Sequence, residues 1–81
     1  MSNIFQKKIA VYNIMSELMD KLDYLDKDAD YDINYNTEQL AELSDDDNSW
    51  RRETYTANIS NAKERKDAIA TARKYIENFI K

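Results

Sequence analysis

The chain has 81 residues, a net charge of −4, and no glycine, proline, cysteine or histidine. Without cysteine there are no disulfides, thiolate nucleophiles or thiolate metal sites, and without histidine the commonest general base and transition-metal ligand are missing. One small domain follows from the length, and the absence of both glycine and proline favours helices over hairpins and phosphate loops.

The first predicted element is a helix over about residues 3–26. Ile4, Val11, Leu18 and Leu25 recur every seven residues, Met15 and Leu22 share their face, and Phe5, Tyr12 and Met19 widen the stripe. Glu17 with Lys21, and Asp23 with Lys27, add ion pairs four residues apart. Residues 27–36 then break the apolar pattern. Tyr31, Ile33 and Tyr35 alternate with polar residues at the period of an extended chain. A lone strand has no pairing edge, so this stretch is expected to be an acidic connector. A short capping helix follows at about 38–43. Ser44 and Asp47 have the spacing of a capping box, which starts a long helix at about 45–80. Its stripe runs through Tyr55, Ile59, Ala62, Ile69, Ala72, Ile76, Phe79 and Ile80. Asn58 to Asn61 is the one stretch where that helix would break.

The expected fold is therefore all-α, a single helical domain over residues 1–81. Two long antiparallel helices pack with Leu25 near Tyr55 and Ile4 near Ile80, and the connecting segment folds over one end with Trp50 as its anchor. Helix 1 offers a wider apolar face than the long helix answers, since Lys66 and Arg73 interrupt the latter. Either the capping segment covers the surplus or a homodimer completes a four-helix bundle.

Charge is unevenly placed. Residues 1–48 carry twelve acids and four bases, whereas residues 49–81 carry four acids and eight bases. From Asp20 to Asp47 there are eleven acids against two bases, a field that steers basic partners and speeds their association. Aromatic side chains are interleaved with these acids, and aromatics amid charge are the usual material of a binding hot spot. The candidate partner-binding residues are Asp26, Asp28, Asp30, Tyr31, Asp32, Tyr35, Asp45, Asp46, Asp47 and Trp50. The competing possibility is that the aromatics form a small core and the acids its wet face, or that the opposite charges pair within the fold.

A second candidate lies in the same segment. Counted from Asp26, the first, third, fifth and seventh positions are Asp26, Asp28, Asp30 and Asp32, with Ile33 eighth and Asn34 ninth. These nine positions resemble the calcium loop of EF-hand proteins, which implies a weak divalent-cation site for calcium or magnesium. The resemblance ends there: Tyr31 stands where that loop turns on glycine, and Thr37 takes the place of its bidentate glutamate.

No nucleophile, phosphate loop or tuned acid–base pair accompanies the carboxylates, so neither an enzyme nor a bound cofactor is expected. Glu53, Glu64, Asp67 and Glu77 dilute the basic residues of the long helix, which argues against direct nucleic-acid binding. No apolar run approaches membrane-spanning length and no basic stretch leads into an apolar one, so a cytoplasmic protein, of its own cell or of an infected host, is expected. Richness in Asn, Ile, Lys, Asp and Tyr suggests an AT-rich genome. By association, small acidic helical proteins of this size fit inhibitors carried by phages and mobile elements. The leading expectation is a protein-binding module that occupies a basic, nucleic-acid-binding surface of a host protein. Its rivals are a self-assembling structural bundle and the divalent-cation module.

Overall fold

The computed structural model describes residues 2–47 and 49–80, the side chains of Ser2 and Ile80 excepted. Two helices fill this length: α1, Ser2–Glu42, and α2, Trp50–Ile80. They pack antiparallel into a rod of 70 × 15 × 15 Å, and no strand is present among the described residues. The all-α expectation holds, but the boundaries within it shift.

α1 does not stop at residue 26. Residues 27–36, expected to be a connector, are helical, and residues 38–42 are the last turns of the same helix rather than a separate cap. The reason is a seam of two columns that never loses its seven-residue repeat. One column is Met15, Leu22, Ala29, Asn36 and Leu43; the other is Met19, Asp26, Ile33 and Leu40. All nine side chains are buried or half-buried. Alternating spacings of three and four residues keep such a seam on one side of a helix. Ala29, Asp26 and Asn36 hid it in the sequence, because a small residue, an acid and an amide stand where aliphatic side chains signal a core. The period-two alternation of Tyr31, Ile33 and Tyr35 was incidental. Ile33 enters the seam, while Tyr31 and Tyr35, one turn apart on the outer face, stack with ring centroids 6.3 Å apart.

α2 answers with the same repeat. Tyr55, Ala62, Ile69 and Ile76 form one column, and Arg52, Ile59, Lys66 and Arg73 the other. The helix passes unbroken through residues 58–61. Ala29 and Ala62 are fully buried and Ile69 nearly so, and these three are the buried apolar side chains among the described residues. Two small residues at the centre let the helix axes approach closely.

The turn is built differently from the expected capping box. Ser44 and Asp47 close a turn through the Asp47 amide and the Ser44 carbonyl, 3.0 Å apart. α2 starts only at Trp50, where the Ser49 hydroxyl accepts the Arg51 amide at 3.3 Å. The Asp47 carboxylate in turn accepts the Ser49 amide at 2.8 Å. Arg52 reaches back across the loop and donates to the carbonyl oxygens of Asp47 and Ser44, at 3.1 and 2.8 Å. The Asp47 carbonyl thus gains a partner and the Ser44 carbonyl a second one. Trp50, expected to anchor a cap, is exposed.

The register also differs from the sequence expectation. Cross-helix pairs join Asn36 to Asn58, Asp32 to Arg65, Asp30 to Lys66 and Asp23 to Arg73. Leu25 consequently lies opposite the Ile69 region, far from Tyr55. Phe79 shares a groove with Ile4, Val11, Tyr12 and Met15, and the Asp23–Arg73 pair sets its level near Glu17 rather than at the start of α1. The contact expected of Ile80 itself lies outside the described side chains. At 1.5 Å per residue, α1 runs about 62 Å and α2 about 46 Å. The first dozen residues of α1 therefore project beyond the end of α2 as an unpartnered arm.

Candidate functional site

The acidic segment, once helical, is divided among faces. Every second residue of a helix advances by about 200°, so consecutive acids point to different sides. Asp26 lies in the seam and Asp30 beside it, and both meet Lys66, whose ammonium is 3.5 Å from Asp26 Oδ1 and bonds directly to Asp30. The bond to Asp30 is the main reason that the Lys66 amine is held above its ordinary value of 10.5, partial burial opposing the rise and the Asp26 charge adding to it. On the opposite flank Asp32 pairs with Arg65. Asp23 pairs with Arg73 at 2.7 Å. Much of the charge asymmetry between the two halves of the chain is therefore satisfied across the hairpin. Asp32 also supports the seam through its backbone: its carbonyl accepts the Asn36 amide at 2.7 Å, and the Asn36 carbonyl oxygen accepts the Asn58 amide at 3.0 Å. Both polar atoms of the buried Asn36 side chain thus have a partner.

Asp47 belongs to the turn. Its hydrogen bonds from Ser49, with Arg51 at 3.1 Å and Arg52 nearby, hold its carboxyl below the ordinary 3.8.

Of the ten candidate partner residues, Asp26, Asp30, Asp32 and Asp47 are thus engaged within the fold. Asp28, Tyr31, Tyr35, Asp45, Asp46 and Trp50 face solvent. The structure joins three of these to Tyr24, one of the aromatics interleaved with the acids, and to Glu38 and Glu42, which were not among the candidates. Tyr24, Asp28, Tyr31, Tyr35, Glu38 and Glu42 follow one another at three- and four-residue spacing along the outer face of α1, away from α2. Only the helical reading of residues 27–36 reveals that stripe, so the sequence signal existed but depended on the right period.

The calcium-loop arrangement is absent. An EF-hand loop needs its oxygens to converge on one point, whereas here Asp26 and Asp30 hold Lys66, Asp32 holds Arg65, and Asp28 faces outward. Among the described residues, no group of three or more acids is placed to hold a metal ion.

A second surface is apolar. Ile4, Lys7, Lys8, Val11, Tyr12, Met15 and Phe79 line an open groove of about 540 Å³ where the arm leaves the end of α2. Ile4, Phe5 and Tyr12 on the arm, with Phe79 beside it, are each more than 60% exposed. No helix among the described residues is long and apolar enough to cross a membrane. No protein-family model matches the chain, and no match to it was found among curated proteins or solved structures.

Proposed function

We propose that this chain is a non-enzymatic, protein-binding hairpin that presents the outer face of α1 to a basic surface of another protein. The observation that carries this reading is the solvated stripe Tyr24, Asp28, Tyr31, Tyr35, Glu38 and Glu42. Its three tyrosines are 68%, 66% and 47% exposed. Tyrosine supplies contact area at small entropic cost, and the interleaved carboxylates supply steering toward positive charge. Asp45, Asp46 and Trp50 extend the same character around the turn. A rigid rod with carboxylates along one side suits a groove that ordinarily holds phosphates, so the favoured partner is a nucleic-acid-handling protein of a host cell and the favoured role is its inhibition.

The four acids engaged within the hairpin are poor targets for a test, since changing them removes an internal ion pair along with any partner contact. The experiment is capture from the source organism's lysate at low and high salt, comparing the wild type with an Asp28→Asn, Glu38→Gln, Glu42→Gln variant and with Tyr31→Ala. A partner held at low salt, released at high salt and lost in both variants supports the reading. Equal recovery by all three proteins overturns it.

A further inference from the structure

We propose that a second copy of this chain docks antiparallel along the flank of α1 formed by Ile4, Val11, Leu18 and Leu25. The inference is independent of the acidic-face reading. These four residues recur every seven along one side of the helix and are 65%, 45%, 48% and 38% exposed, so α2 leaves the column uncovered along its length. Asp32 continues the column, and its pairing with Arg65 shows that this flank faces the same side as Arg65 of α2. Fourteen residues beyond Arg65 stands Phe79, which brings apolar surface from α2 to the groove that Ile4 and Val11 also line. The opposite flank of α1 carries Ile9, Ser16, Asp23 and Asp30, one apolar residue among four, and so offers no continuous apolar column.

Three features select a second copy as the occupant. The column is self-complementary about its midpoint: in an antiparallel pair, Ile4 of one copy meets Leu25 of the other, and Val11 meets Leu18. Phe79 lies beside Met15, near that midpoint, so the two copies bring their Phe79 rings together at the two-fold axis. Charge favours this direction too. The arm contains Lys7 and Lys8 and no acid, whereas residues 15–28 of the other copy, which it would overlie, carry five acids and two bases. A parallel pair would instead set lysine arm on lysine arm and acid on acid.

The area fits as well. The chain exposes 6694 Å². A compact monomer of this mass exposes about 5,100 Å². The column together with Phe5, Tyr12 and Phe79 offers on the order of 700 Å² of apolar surface per copy, close to the roughly 800 Å² that each partner contributes to a stable interface.

The chain's lack of cysteine makes direction testable by single introduced thiols. Sedimentation equilibrium of the full chain should give a mass that rises to twice the monomer with concentration. Leu18→Lys should return it to the monomer with its circular-dichroism helicity intact, because Leu18 lies outside the seam. Under oxidation, Val11→Cys mixed with Leu18→Cys should give a cross-linked dimer, while Val11→Cys alone should not. A monomer mass throughout the concentration range, a Leu18→Lys variant that still dimerises, or cross-linking of Val11→Cys with itself would each overturn the proposal.

Discussion

Lys66 occupies a seam position that an aliphatic side chain would fill more cheaply, and it survives there because Asp26 and Asp30 surround its ammonium. Its amine is raised, so its stabilising contribution is complete below the unfolded value near 10.5 and is lost as pH rises through the higher folded value. Asp47 has the opposite sign. Its contribution is present above the ordinary 3.8 and disappears as pH falls through a lower folded value. Thermal melts across pH should therefore show a plateau at neutral pH, with losses on the acid side of 3.8 and the alkaline side of 10.5. The pairs are partly solvated, so each is worth little. A double-mutant cycle on Asp30 and Lys66 should return only a small coupling. Replacing Asp26 by leucine should be neutral or stabilising, by about 1 kcal/mol, since an apolar residue fills the seam without desolvating a charge. A large loss of stability in Asp26→Leu would mean that the acid contributes far more than an exposed ion pair can.

Between the helices, stability rests on few buried side chains. Ala29 and Ala62 set the closest approach of α1 and α2, so Ala62→Leu should cost about 1–3 kcal/mol by forcing the axes apart. Ile69→Ala should cost about 2–4 kcal/mol, measured by urea denaturation, because Ile69 is the largest side chain in the buried core. Asn36 has another role. A bonded amide in a helical seam fixes register at some expense of stability. Asn36→Leu should therefore raise the melting temperature while allowing α2 to slide, which broadened cross-helix NMR contacts would reveal. Arg52 secures the turn through the Ser44 and Asp47 carbonyls, and its loss in Arg52→Ala should cost about 1–2 kcal/mol. Unchanged stability in that variant would show that water serves those carbonyls equally well.

The whole molecule is a rod with a Cα radius of gyration of 19.2 Å, against about 12 Å for a compact chain of this length. A single antiparallel pair has no third layer to cover the outer sides of its helices. That shape leaves two unlike surfaces: tyrosines and acids on the outer face of α1, and an apolar flank continuing onto the arm. Hydrogen exchange should distinguish the parts. Amides near Ala29 and Ala62 should be the most protected, and protection should fall toward the arm in dilute protein. If two copies dock as proposed, protection of residues 4–14 should rise with concentration, whereas the turn at residues 43–47 should exchange at an unchanged rate.

The helical class, the antiparallel hairpin and an apolar first helix were legible in the sequence, because they follow from composition and from a seven-residue repeat that any helix must place on one face. So was the exposed part of the acidic surface at Asp28, Tyr31, Tyr35, Asp45 and Asp46, whereas Trp50, expected as the anchor of a cap, stands in solvent. What tertiary structure decided was which polar residues are partners of the fold. Asp26 and Asn36 look like interruptions of a helical pattern until Lys66 and Asn58 stand opposite them, and a chain read alone carries no record of what lies across an interface. Those cross-helix pairs also set the register. They match the acidic half of α1 to the basic half of α2, and ion pairs and amide bonds of fixed reach can be met together in only one alignment. That alignment leaves the N-terminal arm without a partner.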